Sequence, residues 1–289
     1  MFLVSTLLAF ALAAPFPQES SASSPSFDQQ ASAGNPGSTT ALVPQQLRKA
    51  QPPPANASAQ ELEAMGDSLR EQKAYADSLD YYYAAMKKAD SAVLHDKAGI
   101  ADLELLHQDD ARREFERATK MDKHYAEAFN NLGVIAYIHK KYGKAIKYYK
   151  KAIDLRDSSA SFYSNLGTAY FAEKHFENAI AEYARALQLD PDIFERHLRS
   201  GVSLHLASAE DRAHYDYVLA KMYAGVNNAE RCLLYLRKAM EEGYTQIGDV
   251  YKDDAFSRIR KDPRFVSLMA QRPVGIPETN PNPQNNPNR

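Results

Sequence analysis

"NNLGVIAY" occupies Asn130–Tyr137, and a close copy, "SNLGTAYF", occupies Ser164–Phe171, 34 residues later. The interval runs well beyond these two segments. Gly99, Gly133, Gly167 and Gly201 keep it, as do Ala111, Ala145, Ala179 and Ala213. The aromatics Phe115, Tyr149, Tyr183 and Tyr217 share the register, and so do Ala118, Ala152, Ala186 and Ala220. Gly66, Leu69, Ser78, Tyr82 and Ala85 form an earlier copy, offset by one residue. Four tracks in one register define a repeated unit, and a period of this size belongs to units that stack. Each unit reads as two helices. The glycine of the first lets the second come close. On the second, the alanine meets that glycine, and the aromatic four residues on lies on the same face. A further alanine, three residues later, receives the next unit. One such unit cannot bury its own apolar faces, so the units form an array.

The best copies are Phe129, Leu132, Gly133, Ala145, Tyr149 and Ala152, then Tyr163, Leu166, Gly167, Tyr170, Ala179, Tyr183, Ala186 and Pro191. This pattern resembles the tetratricopeptide repeat family from Ala59 to Pro191, and the resemblance extends to Gly243. Two departures stand out. The first aromatic of the family pattern is usually Trp, and here it is Phe, Tyr or His. The Gly99 unit has Asp102 where an aromatic is usual, so that unit is expected to be looser. The resemblance implies an all-α fold, a right-handed α-solenoid of antiparallel helix pairs, with about five to six units over residues 58–243.

After Gly201 two registers remain open. Ala213, Tyr217 and Ala220 place "DRAHYDYVLAKMYAG" as a second helix. Leu219, Ala220 and Tyr223 place it as a first helix, followed by a second through Cys232, Leu236 and Ala239. Gly225 and Gly243 read as helix stops. Residues 244–271 are expected to cap the array. One short helix is expected near Asp254–Arg260, and another opens with Asp262 as its N-cap and Pro263 in the first turn. This segment resembles the one that closes many bacterial tetratricopeptide arrays, which implies a bacterial source.

The ends of the chain read differently. Phe2–Ala14 is a short apolar run ending in Ala11-Leu12-Ala13, the pattern of a secretory signal cleaved near Ala13 or Ala14. It is too short to span a bilayer, and no second long apolar stretch follows. Stable membrane insertion of the mature chain is therefore not expected. Localisation is expected to be exported, periplasmic or secreted. Residues 15–57, rich in Ser, Ala, Gln and Pro, are expected to be a disordered linker, and residues 272–289, rich in Pro and Asn, a disordered tail.

The 289 residues are 44% hydrophobic and 25% charged with net charge −2, so no overall field draws nucleic acid or an anionic membrane. The single cysteine, Cys232, excludes an intrachain disulfide and reads as a packing residue. There is no Gly-rich phosphate loop, no H-E-x-x-H and no G-x-S-x-G. His197, His205 and His214 are the closest histidines, and solvated or core-edge roles suit them better than metal ligation. No catalytic residue, metal or cofactor is expected, and the chain is read as no enzyme. Six lysines and no acid fall in "HKKYGKAIKYYKK", His139–Lys151. That run reads as a solvated outer face, or as a contact for phosphate or an anionic glycan.

In arrays of the family that this chain resembles, the first helix of each unit lines an inner groove. The register assigns Asn130, Asn131, Val134, Tyr137, Ser164, Asn165, Thr168, Phe171, Leu198 and Val202 to that groove. An apolar strip flanked by amides suits a peptide, with Tyr137 and Phe171 as anchors; the same residues could instead touch a neighbouring helix. Family members that clamp a terminal carboxylate use Lys and Asn groups across three units. Here Asn165 and Arg199 fit, whereas Val134 and Glu195 do not, so an acidic C-terminal tail is not expected. The expected function is a non-enzymatic scaffold binding a protein or peptide partner, and not nucleic acid. The alternative is a chaperone-like assembly factor of a bacterial envelope or secretion machine.

Overall fold

A computed structural model describes residues 51–194 and 209–271. The expected leader, most of the expected linker, the expected tail, Leu198 and Val202 lie outside the described residues. Within them are eleven α-helices and no strand. The first eight make four pairs: α1 (Ala59–Glu71) with α2 (Tyr75–Met86), α3 (Ala92–Glu104) with α4 (Gln108–Met121), α5 (Ala126–Ile138) with α6 (Tyr142–Leu155), and α7 (Ala160–Ala172) with α8 (Phe176–Leu189). A fifth pair follows, α9 (Ala209–Gly225) with α10 (Ala229–Glu241). The fold is an all-α solenoid of helix pairs. Each second helix also packs against the first helix of the next pair, from α2 on α3 to α6 on α7, and α8 packs against α9. A first helix is thus enclosed on several sides, and α5 buries all but three of the residues it contributes. The second helices keep one buried stripe and an exposed polar face.

A glycine–aromatic contact locks each of the first four pairs. A Cβ built on Gly133 would lie 2.4 Å from Cε1 of Tyr149. On Gly66, Gly99 and Gly167 it would lie 2.7, 2.6 and 2.6 Å from the rings of Tyr82, Phe115 and Tyr183. All four rings have zero relative exposure. It is the ring, rather than the alanine, that comes nearest the bare backbone.

The turn within each pair is equally regular. Seven residues after each of these glycines the backbone is left-handed: Lys73 (φ 62°), Leu106 (65°), Lys140 (57°) and Lys174 (62°). The residue after each one closes the turn. The Lys141 amide donates to the Ala136 carbonyl (2.8 Å) and the His175 amide to the Tyr170 carbonyl (2.9 Å), the wide hydrogen bond of a Schellman helix end.

This geometry decides the open register. Asn227 is left-handed (φ 58°) seven residues after Ala220, and the Asn228 amide donates to the Tyr223 carbonyl (2.9 Å). So α9 is a first helix and α10 its second, with Ala220, Cys232, Leu236 and Ala239 at the positions of Gly133, Ala145, Tyr149 and Ala152. All four have zero exposure. Alanine for glycine is matched by leucine for the aromatic, which conserves volume.

Three short 3-10 turns follow, Ile247–Tyr251, Asp254–Phe256 and Ile259–Lys261, before α11 (Pro263–Gln271). The helix expected near Asp254–Arg260 is therefore two separate turns. The Arg260 guanidinium donates to the carbonyls of Val250 (2.9 Å) and Asp253 (2.8 Å), holding this irregular path. Asp262 caps α11 as expected, its Oδ1 accepting from the Arg264 amide at 2.8 Å. Val250, Phe256, Phe265, Leu268 and Met269 bury into the core that α9 and α10 share. At the other end, Gln51–Ala57 lies against α2. The Tyr81 hydroxyl donates to the Gln51 carbonyl (2.7 Å), and Lys88 reaches the Ala55 and Ala57 carbonyls. Ser58 and Glu61 then close a capping box on α1.

The lock predicts a contrast between two glycines. Gly133→Ala should cost about 2–3 kcal/mol in urea unfolding, because the buried Tyr149 ring must move. Gly225→Ala, whose Cβ would meet nothing within 4 Å, should change stability by less than about 0.5 kcal/mol.

Candidate functional site

The inner helices α3, α5 and α7 lie side by side. A chain of hydrogen bonds, part-buried between α1 and α3 and buried beyond, joins α1, α3, α5 and α7, and its period is that of the repeat. Three residues before each glycine stands an acceptor: Glu63, Asp96, Asn130. Two residues before the glycine of the following unit stands the donor: Lys97, Asn131, Asn165. Lys97 Nζ donates to Glu63 Oε1 (2.6 Å) and also to Asp67 Oδ2 (2.6 Å). Asn131 Nδ2 donates to Asp96 Oδ1 (2.9 Å), and Asn165 Nδ2 to Asn130 Oδ1 (2.9 Å). Within α5, Asn130 Nδ2 donates to Asn131 Oδ1 (3.0 Å), linking two rungs. Asp96 is fully enclosed, and the Tyr125 hydroxyl donates to its second oxygen at 3.4 Å. Burial pushes the Asp96 carboxyl up to about 8, against the pull of the Asn131 bond.

The expected groove strip is therefore not an open surface. Asn130, Asn131, Val134, Ser164, Asn165, Thr168 and Phe171 are all buried. The amides bond one another and Asp96. The Thr168 hydroxyl donates to the Ser164 carbonyl (2.9 Å) and lies 3.3 Å from the Tyr183 hydroxyl. The Phe171 ring packs against Phe176 (5.4 Å between centroids) and edge-on against Tyr215 (5.4 Å), so it serves the joint between α7, α8 and α9. Only Tyr137 among the described members is half-buried, with its ring 5.1 Å from Tyr142. The physical reason is geometric: neighbouring first helices pack closely enough to enclose what lies between them.

Helix α3 differs from the other inner helices in burying His95, Asp96, Lys97 and Asp102. The His95 ring sits between two carboxylates, Nδ1 2.5 Å from Glu114 Oε2 and Nε2 3.0 Å from Asp90 Oδ1. Asp102, flagged by sequence as the misfit of its unit, is buried with Oδ2 unpartnered, and burial pushes it up to about 6. Sequence reasoning did not single out Asp96, Lys97 or Tyr125. The signal was present in the common spacing of Lys97, Asn131 and Asn165.

The remaining candidates for chemistry are structural. Cys232 is enclosed, and burial pushes its thiol up to about 12, so it is no nucleophile near neutral pH. The His214 ring lies tilted by 42° against Phe176 with centroids 4.0 Å apart, and burial lowers its affinity for a proton. Among the described residues, no group of three or more His, Cys, Asp or Glu is placed to hold a metal ion. Nor is any described helix long and apolar enough to cross a membrane.

Residues 97–160 and 160–193 match family models described as tetratricopeptide repeat. A search of curated protein sequences finds no match. Among solved structures, similarity extends to YrrB, a TPR protein with an unusual peptide-binding site, at 18% identity, TM-score 0.43, covering 68% of this chain and 92% of that one. TTC0263, a thermophilic TPR protein of Thermus thermophilus, is similar at 16% identity, TM-score 0.46, covering 74% and 100%. PilF of Pseudomonas aeruginosa is similar at 14% identity, TM-score 0.49, covering 74% and 97%.

The buried carboxyl makes stability depend on pH in a defined direction. Folding raises the Asp96 pKa, so between the ordinary carboxylate range and about pH 8 the native state binds a proton that the unfolded chain has lost. Stability should fall as pH rises through that window. Asp102 and Asp216, pushed up by burial to about 6 and about 7, act in the same sense. Asp96→Asn should exceed the parent in urea unfolding at about pH 9, by on the order of 1–2 kcal/mol, with the gap narrowing towards pH 6. Parallel pH profiles for variant and parent would mean that Asp96 is ionised in the native state.

Proposed function

We propose that this chain, which carries tetratricopeptide repeats, is an exported, non-enzymatic scaffold that holds a segment of a partner protein against its inner helices. Repeats of this kind support protein–protein interaction, and that is the function class of the chain. The observation that carries the finer reading is the wall made by α3, α5 and α7, fixed by its buried rungs. A receptor surface held in place before binding loses little conformational entropy when a partner docks. The amides of the rungs are engaged, so recognition falls to the half-buried side chains at the C-terminal ends of the inner helices. Leu103 on α3 and Tyr137 and Ile138 on α5 hold those positions. They offer an apolar contact next to a rigid wall, the arrangement in which anchor residues contribute most.

Export is supported by the leader-like run Phe2–Ala14. Intact-mass measurement of the secreted chain is expected to show a mature protein that begins at Ala14 or Pro15. Retention of Met1 in the exported pool would remove that part of the reading.

For the binding site, the chain from Ala14 onward would be immobilised and challenged with envelope extracts of its host. A Leu103→Ser/Ile138→Ser variant and a control at the exposed Lys120, Lys120→Glu, would run beside it. The expected result is a defined partner, lost at least about tenfold in the inner-face variant and kept by the control. A partner kept by both would place the site elsewhere. Weak capture of many apolar segments would support the assembly-factor alternative.

A further inference from the structure

Among the described residues His95 is the one buried histidine; His107, His124, His139 and His175 are exposed and His214 is half-buried. It is also the one whose two ring nitrogens both face carboxylates. Nδ1 lies 2.5 Å from Glu114 Oε2 on α4, and Nε2 lies 3.0 Å from Asp90 Oδ1, in the connection between α2 and α3. An ionised carboxylate only accepts hydrogen bonds, and a neutral imidazole has one N–H to give. Both contacts are favourable together only while the ring holds the second proton that makes it a cation. The other charges of the neighbouring elements are engaged with one another. On α4, Arg117 meets the second oxygen of Glu114, and Arg113 meets Asp110. On α1, Glu63 and Asp67 meet Lys97. On α2, the Tyr83 hydroxyl lies in the field of Asp102, Glu114 and Asp110. On α5, Asn131 donates to Asp96, and Glu127 meets Arg156. On α3 itself, Asp102 faces His107.

Loss of that proton does not fall equally on the two carboxylates. The Glu114 side chain is 7% exposed and the Asp90 side chain 52%. A buried acceptor stripped of its donor stays unsatisfied, whereas an exposed one turns to water. The remaining proton therefore stays on Nδ1 with Glu114, and the bare Nε2 turns its lone pair on the Asp90 carboxylate. That contact becomes repulsive, and Asp90 is free to leave. The connection it belongs to, residues 87–91, carries two further attachments. Ser91 accepts from the Leu94 amide (3.2 Å) as the N-cap of α3. Lys88 donates to the carbonyls of Ala55 (2.8 Å) and Ala57, and so clasps the strap at residues 51–57. Asp90 and Lys88 are two residues apart, so a displacement at the ring reaches the strap through one short piece of backbone.

We propose that His95 is a proton-operated latch: its charged ring ties the α2–α3 connection, and through Lys88 the strap at residues 51–57, to the second helix pair, and loss of the proton releases connection and strap while the pairs stay folded. The sign follows from the partners, which are both acids. The attachment is complete below the ordinary histidine range and is lost as pH rises through it. The latch is separate from the inner wall and does not depend on what that wall binds.

The test places a nitroxide spin label on the strap of the full chain through Ala55→Cys, an exposed position; Cys232 is enclosed and does not compete for the label. The label is expected to be held at about pH 5.5 and, at about pH 8.5, to tumble at least about threefold faster, with the helical circular dichroism unchanged. Two further substitutions are made in the labelled chain. Asp90→Asn replaces the repelled carboxylate with an amide that donates to the bare Nε2, so its strap should stay held at both pH values. His95→Gln should leave the strap loose at both. Asp90 is exposed, so that variant decides if the His95 variant does not fold. Nitrogen-15 spectra of the ring should show both nitrogens protonated at about pH 5.5. A ring with one N–H at that pH, a label equally mobile at the two pH values, or an Asp90→Asn chain that loosens as the parent does would overturn the proposal. Loosening that comes only with loss of helical signal would overturn it too, since the strap would then be following general unfolding.

Discussion

An aromatic ring pressed on a bare stretch of helix backbone is the contact on which the rest of this molecule depends. At Gly66, Gly99, Gly133 and Gly167 there is no room for a single carbon beyond Cα. That closeness fixes how far apart the two helices of a pair lie and how they are rotated about their axes. The position of the turn follows, because the chain must reverse within a few residues and does so through a left-handed residue at a constant offset. The fifth pair obeys the same constraint with Ala220 and Leu236, trading volume between the partners.

Once the pairs are fixed, the inner helices come near enough for side chains to bond from one to the next. Buried polar atoms tolerate little displacement, since a shifted amide leaves both itself and its partner unsatisfied. The Asp96–Asn131 and Asn130–Asn165 bonds therefore hold neighbouring units in a single alignment that apolar packing alone would specify less sharply. The apolar core supplies the stability, and the polar chain narrows it to one arrangement.

The fold was legible in the sequence because its signal is one-dimensional: a fixed step that survives substitution at any single position. It faded where volume was exchanged between partners, as at Ala220 and Leu236, and the register there became visible only with the turn at Asn227. It failed at Asp254–Arg260, where the Asp253 side chain and the Arg260 guanidinium satisfy backbone groups that a helix would otherwise pair. For the inner strip, the burial of Asn130, Asn131, Val134, Ser164, Asn165, Thr168 and Phe171 was not legible. Amides on an apolar helix read as recognition groups; whether they face a partner or a neighbouring helix depends on a distance between units that periodicity does not encode. Phe171 shows the same limit, since the α9 ring that packs edge-on against it, Tyr215, lies 44 residues further along the chain.

The rungs also have a consequence for assembly. By their glycines and aromatics, the units look interchangeable. By their rungs, they do not: an ammonium meets carboxylates at the first joint, an amide meets a carboxyl at the second, and an amide meets an amide at the third. Permuting the units would confront Lys97 with an amide, or leave Asp96 enclosed without its donor. Out-of-order docking is a characteristic hazard of near-identical neighbours. Here each joint carries its own chemical address, so the order of the repeats is written into the interior of the array.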